Sequence, residues 1–199
     1  MMIQDLVPGE YWPLVRAVPQ MLAAVTSLAI GVFALVKAPK KPLNRILAGL
    51  AAASFHYNLF QVLFNFFPSI TLTRIGYVGA VFLIPLLAEF PNALISSEYA
   101  SRRTRTITLF CTGFFLAALP TEYLFLPDLD TSASLPLALG GPLMPVFAVV
   151  VGLVLVRVAF KLVQALWRCT DDIMRRRLEF VLLGEAIYAV CALHDVLLR

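Results

Sequence analysis

Six long runs of apolar residues, separated by short polar turns, divide this sequence from end to end. Each run is about twenty residues long, the length that an α-helix needs to cross the hydrocarbon core of a bilayer. The runs are continuous and lack the in–out alternation of strands in a membrane barrel. The pattern therefore predicts six transmembrane helices, which cover approximately Val15–Val36, Ile46–Phe67, Leu72–Ile95, Thr106–Leu126, Leu137–Phe160 and Leu178–Leu198.

The composition supports the same class of protein. Hydrophobic residues make up 60% of the chain and charged residues only 14%, whereas soluble domains are about half apolar and about a quarter charged. A soluble fold of 199 residues has too little interior to bury so much apolar side chain. The apolar composition therefore argues against a water-soluble enzyme, a disordered protein and a nucleic-acid-binding domain. We predict a single all-α integral membrane domain over residues 1–199.

The basic residues predict the orientation. Thirteen of the 16 lie in or beside the first, third and fifth connections between the predicted helices. Cytoplasmic loops of membrane proteins carry an excess of lysine and arginine, so these connections are expected to be cytoplasmic and the N-terminus to lie outside. The remaining three basic residues are Arg16, Arg74 and Arg199.

The last predicted helix reaches the end of the sequence without a polar tail. We expect a seventh crossing to follow, which would return the chain to the cytoplasm, where an output domain could be attached. The alternative is a complete protein of six helices.

Polar side chains form a stripe along the second predicted helix. Ser54, Asn58, Gln61 and Asn65 follow one another at intervals of three and four residues, which places them on one helical face. Polar groups at membrane depth are costly, so they point into the bundle or into a watery cavity. Two interpretations stay open: hydrogen bonds that hold helices together, or a site for a ligand.

Further polar residues are expected at the same outer depth. Arg74 and Tyr77 lie in the first turns of helix three, Glu122 ends helix four and Asp195 lies in the outer third of helix six. An arginine fits a carboxylate or a phosphate through two parallel hydrogen bonds. We predict one ligand cavity lined by Asn58, Gln61, Asn65, Arg74, Tyr77, Glu122 and Asp195. The alternative is an Arg74 salt bridge that only fastens helices, or an Arg74 that reaches the headgroups.

Two acids, Glu89 and Glu185, are predicted in the inner third of the membrane, at similar depth on helices three and six. A carboxylate there needs a partner. The two carboxyl groups could face each other and share a proton, or each could bond a backbone group.

Catalytic chemistry finds no support in the sequence. The two histidines are 138 positions apart, and neither belongs to a metal-binding or hydrolase motif. We therefore predict no catalytic residue, no metal and no cofactor, and expect that any enzymatic module would lie beyond residue 199.

The order of these features resembles a known group of proteins. A basic turn with Leu43-Asn44-Arg45 opens helix two, and helix three reads Arg74-Ile-Gly-Tyr77 and then Phe82-Leu-Ile-Pro85. The charged turn from Asp171 to Arg177 leads into the last helix. This pattern resembles the N-terminal seven-helix sensor regions of bacterial histidine kinases and related signalling proteins. The resemblance implies a membrane region that precedes a cytoplasmic output module, and it assigns no ligand.

The leading hypothesis is thus a sensory or receptor domain in the bacterial inner membrane. It would bind a small, lipophilic or lipid-like signal in the outer half of the bundle and relay it to a cytoplasmic output module. Membrane lipids are the other expected partners, nucleic acid is not, and a homodimer is possible. The alternative is a small transporter or channel-like protein in which Glu89 and Glu185 form an intramembrane carboxylate relay.

Overall fold

The computed structural model describes residues 12–96, 100–130 and 137–197. These ranges form six α-helices and one short hairpin, which confirms the predicted helical fold and adds two strands to it. In chain order the elements are α1 (Trp12–Lys37), α2 (Pro42–Phe66), α3 (Ile70–Ile95), α4 (Arg102–Ala118), β1 (Phe125–Asp130), β2 (Leu137–Gly140), α5 (Met144–Arg168) and α6 (Asp172–Leu197).

Four helices in the described ranges, α1, α2, α3 and α5, are long and apolar enough to cross a membrane. Helix α4 has 17 residues, or about 25 Å, which is shorter than a hydrocarbon core of about 30 Å. The chain therefore has the character of a membrane protein. Crossings by α4 and α6, and an external N-terminus, stay predictions.

Helix α3 is the central element of the bundle. It packs against α2, α4, α5 and β1, while α1 lies against α2 and α6 lies against α5. One face of its middle turns is enclosed, with Val81 and Ile84 at most 1% exposed, whereas Phe82 on another face is 43% exposed. Because α3 contacts four other elements, its position is coupled to most of the fold.

Close helix packing relies on small residues. A Cβ atom added to Gly79 of α3 would lie 2.5 Å from the carbonyl oxygen of Ala53 in α2. Between α1 and α2, a Cβ atom on Gly31 would lie 3.0 Å from the Cβ of Ala51. Such contacts bring helix backbones together in membranes, where association depends on packing rather than on the hydrophobic effect.

Large apolar side chains cover the outside of the bundle. Leu22 and Phe33 of α1 are 64% and 67% exposed, and Val156 of α5 is 68% exposed. An apolar surface of this extent would promote association in water. In a bilayer, acyl chains would cover it, so the surface agrees with the sequence-based assignment to a membrane.

Several predicted helix boundaries differ from the structure. Helix α5 continues to Arg168 rather than Phe160, and α6 begins at Asp172 rather than Leu178. Two further wrong boundaries lie beside the hairpin. The pattern predicts helix four up to Leu126, but α4 ends at Ala118, two residues before Pro120, which has no N–H to continue the helical ladder. The pattern also begins helix five at Leu137, whereas Leu137–Gly140 is strand β2. A short apolar run fits a strand as well as a helix, and here antiparallel pairing with β1 selects the strand.

Thiol labelling tests the predicted orientation. In a chain whose native cysteines are replaced by serine, we expect Glu122→Cys to react with a membrane-impermeant maleimide in intact cells. Lys40→Cys, in the turn between α1 and α2, should react only after lysis, because the basic connections are expected to be cytoplasmic. Both native side chains are exposed, so neither site is sterically blocked. Labelling in the reverse order would contradict the orientation.

Candidate functional site

Arg74 joins α3 to the segment that leads into the hairpin. Its Nη1 donates a hydrogen bond to the carbonyl oxygen of Pro120, and its Nη2 donates to that of Phe125, each over 3.0 Å. The third nitrogen, Nε, is buried without a hydrogen-bond partner among the described groups. Because the two acceptors are uncharged carbonyls, the contacts hold the guanidinium without neutralising it.

The charge of Arg74 has no described counterion. The ion pairs within 4 Å in the described part of the chain are Glu89 with Arg105 and Arg175 with Glu179. The alternative interpretation of Arg74 is a salt bridge with Glu122 or Asp195. A pair with Glu122 is not among the described ion pairs, and the side chain of Asp195 lies outside the described residues. Arg74 does not extend freely to solvent either, because its side chain is bound to the backbone on either side of the α4–β1 turn.

Tyr77, one turn along α3 from Arg74, lies in an aromatic cluster. Its side chain is 2% exposed, and its ring makes an edge contact with Phe125 at a centroid distance of 4.5 Å. Tyr57 of α2 and Phe147 of α5 complete the cluster, with centroids 5.6 and 6.0 Å from Tyr77. The structure thus brings two predicted site residues, Arg74 and Tyr77, together at Phe125. We call these three residues the Arg74 junction.

Two asparagines of the polar stripe on α2 make hydrogen bonds to other groups of the protein. Asn65 Nδ2 donates to Oε1 of Gln20 in α1 over 2.5 Å, which is the interhelical bonding that one of the two interpretations predicts. Asn58 donates to the carbonyl of Ser54 one turn earlier, over 2.8 Å. Gln61, between them, is half-buried. Asn65 and Arg74 are therefore bound to different elements rather than to a common partner.

Glu122 is exposed in the turn after α4. Its carbonyl oxygen and that of Tyr123 lie so near Gly141 that any Cβ there would collide with them. This close approach positions β2 beside the α4–β1 turn and explains why a glycine precedes α5. The Glu122 side chain is therefore not part of the Arg74 junction.

Glu89 is held at the opposite end of α3. One carboxylate oxygen accepts a hydrogen bond from Nε of Arg105 over 2.8 Å, and the other accepts from the backbone N–H of Ala100. Glu89 is 8% exposed, so the pair is substantially desolvated on the carboxylate side. Both oxygens are occupied by groups at the α3–α4 connection rather than by Glu185, whose buried Oε1 has no described partner.

Two hydrogen bonds at the same end of the bundle as Glu89 connect α5 to α3 and α4. Lys161 Nζ donates to Oδ1 of Asn92 in α3 over 2.5 Å, and Arg157 donates to the hydroxyl of Thr104 in α4 over 2.8 Å. Sequence reasoning attributed these basic residues, and Arg105, to topology alone and missed their partners. The available signal was the recurrence of polar residues in the last two turns of α3, where Asn92 follows Glu89 by three positions.

Comparison with protein-family models, with curated proteins and with solved structures gives no match to this chain. The resemblance to sensor regions therefore depends on the sequence features alone.

Proposed function

We propose that this chain is a membrane-embedded sensory domain of a bacterial inner membrane. A small lipophilic anion would bind at the Arg74 junction, and α3 would transmit the change to a cytoplasmic output module. The observation that carries this proposal is the state of Arg74: its guanidinium is fixed by two carbonyls, its charge has no described counterion and its buried Nε has no described partner.

The surroundings of Arg74 favour an amphiphilic anion. A carboxylate beside the guanidinium would gain charge-assisted hydrogen bonds, which are stronger than neutral ones. The rings of Tyr77, Phe125 and Phe147 are at most 3% exposed and pack on one another, so a hydrocarbon tail would reach them only in a second packing that opens this cluster. Binding sites of this kind commonly combine apolar walls with a few polar groups that fix the orientation of the ligand.

Helix α3 supplies the connection to the other end of the bundle. It carries Arg74 near its beginning, and Glu89 and Asn92 near its end, where they bind α4 and α5. Pro85 lies between these positions and removes one backbone hydrogen bond, which favours bending there. A ligand shifts such an element only if it binds two packings unequally, so the proposal requires a second packing of α3.

The rival hypothesis, a carboxylate relay, has weaker support. Glu185 does have a buried oxygen, Oε1, that lacks a hydrogen-bond partner among the described groups. Glu89, however, would have to leave Arg105 and the Ala100 amide before its carboxylate could exchange a proton with Glu185.

A binding measurement with decanoate tests the proposal. Decanoate carries one carboxylate on an apolar chain, so it is expected to bind the purified protein in nanodiscs and to raise its melting temperature. Arg74→Ala should weaken decanoate binding about tenfold, because a hydrogen bond to a charged group contributes about 1.5–3 kcal/mol. Isothermal titration of decanoate into each variant measures the difference.

Arg16→Ala is the matched control, since Arg16 is an exposed arginine near the beginning of α1 and should leave the affinity unchanged. Arg74→Lys keeps the charge and should retain part of the binding. This variant tests the site even if Arg74→Ala disturbs the fold. Equal affinities of the native, Arg74→Ala and Arg16→Ala proteins would refute the proposed site.

A further inference from the structure

A cavity of about 400 Å³ opens among the ends of three helices, away from the Arg74 junction. The last turn of α3, the last two turns of α5 and the beginning of α6 form its wall. Its polar lining consists of Asn92, Ser96, Lys161, Gln164 and Arg168. A cavity of this size is within the range that accommodates small ligands.

Among the described residues, the lining carries two cations and no acidic residue. Lys161, Gln164 and Arg168 are spaced by three and four residues along α5, so they share one helical face. Each of these side chains can donate hydrogen bonds, and Lys161 and Arg168 add positive charge. The cavity therefore has the polarity of an anion site.

Asn92 adds an independent observation. Its Oδ1 accepts the hydrogen bond from Lys161, which fixes which side of the amide faces the lysine. The other side, Nδ2, is buried and has no hydrogen-bond partner among the described groups. A buried donor without an acceptor is costly, so an acceptor oxygen in the cavity would satisfy a group that the protein leaves unpaired.

Apolar side chains line another part of the cavity. Met174 and Leu178 come from α6, and Ile95 comes from α3. A bound molecule would therefore meet cationic and amide donors on one side and an aliphatic surface on the other. This arrangement suits an anionic head attached to an apolar or glycerol-like body.

The geometry points to a phosphate-binding site, in which Lys161, Arg168 and the Asn92 amide hold the oxygens of one phosphate group. Phosphate offers several acceptor oxygens and a negative charge, which match these donors. The source is either the headgroup of an anionic phospholipid, which basic residues near a membrane surface attract, or a free phosphate. The site is separate from the Arg74 junction and does not depend on the proposed sensory function.

Two probes distinguish the sources. Native mass spectrometry of the detergent-purified protein, incubated with equal amounts of phosphatidylglycerol and phosphatidylcholine, measures lipid retention, and equilibrium binding of radiolabelled inorganic phosphate measures the free anion. Preferential retention of phosphatidylglycerol alone supports a headgroup site, and binding of both probes supports a site for the phosphate group itself. Binding of neither probe overturns the proposal.

Charge-matched variants locate the site. Lys161→Gln combined with Arg168→Gln should weaken binding of the retained probe at least about tenfold. Lys40→Gln combined with Arg103→Gln removes the same charge from exposed positions outside the cavity and should leave binding unchanged. Equal weakening by both pairs would overturn the proposal, because general electrostatic attraction would then explain the binding.

Asn92→Asp provides a test that preserves the packing. The substituted side chain keeps an oxygen for Lys161 and places a negative charge where Nδ2 now lies. It is expected to weaken phosphate or phosphatidylglycerol binding about tenfold by repelling the anion, while the melting temperature of the empty protein stays near that of the native chain. Unchanged affinity in this variant would place the anion elsewhere and overturn the proposal.

Discussion

Gly79→Ala is expected to lower the free energy of unfolding by about 3 kcal/mol, near the upper end of the usual cost of overpacking a core. The new Cβ atom would lie 2.5 Å from the carbonyl oxygen of Ala53 and 3.0 Å from the backbone nitrogen of Tyr57. Both neighbours are backbone atoms of α2, so no side-chain rotation relieves the contact and the two helices must separate.

The matched control for Gly79 is Gly152→Ala, in the middle of α5. A Cβ atom on Gly152 meets nothing within 4 Å, so alanine there should be neutral or stabilising by up to about 1 kcal/mol through helix propensity. Unfolding in mixed micelles with increasing dodecyl sulfate measures both variants. Equal stabilities of the two variants would show that α2 and α3 do not pack as closely as the structure has them.

Arg105→Gln is expected to destabilise the protein by about 2 kcal/mol, since it leaves the Glu89 carboxylate buried with only the Ala100 amide as a described partner. The Arg105 side chain is 46% exposed, so we place the effect below the range for fully buried pairs. Arg103→Gln, on the same helix turn but exposed, removes the same charge without this contact.

The same micelle unfolding assay compares Arg105→Gln with Arg103→Gln. A restoring effect of Glu89→Gln in the Arg105→Gln background would support the pairing directly, because the buried carboxylate is then removed together with its partner. If Arg105→Gln and Arg103→Gln have the same stability, the ion pair contributes nothing and α4 is held by packing alone.

Helix positions were predictable from the sequence where long apolar runs met clear turns. The predicted third helix, Leu72–Ile95, nearly coincides with α3 (Ile70–Ile95), because length and hydropathy leave few alternatives there. The hairpin was not predictable in the same way. Its strands are short, and their pairing depends on close backbone contacts at Gly141 that no periodicity reveals.

The candidate site was predictable only in part. Arg74 and Tyr77, which the sequence assigns to one predicted cavity, both meet Phe125, whereas the cavity itself stays a prediction. The acceptors of Arg74 are backbone carbonyls, which every residue has, so the sequence cannot identify them. Asn65 bonds Gln20, a partner 45 positions earlier that only the packing of α1 on α2 brings within reach.

The Glu89 pair was missed for a different reason. The positive-inside rule explains Arg102, Arg103 and Arg105 equally well, so nothing distinguished the one that bonds Glu89 from the other two. A short connection between α3 and α4 brings the last two turns of α3 close to the first turn of α4. An acid near the end of α3 and a base in the first turn of α4 form the sequence pattern that would have predicted this ion pair.

The proposed sensory function requires that occupation of the Arg74 junction changes the packing at the opposite end of the bundle. Spin labels at Lys40→Cys and Arg176→Cys, both exposed positions, report that end by double electron–electron resonance in nanodiscs. The native cysteines are replaced by serine for this measurement. Saturating decanoate is predicted to shift the distance distribution between the labels in the otherwise native protein and to leave it unchanged in Arg74→Ala. An identical distribution with and without decanoate in the protein that retains Arg74 would contradict the account.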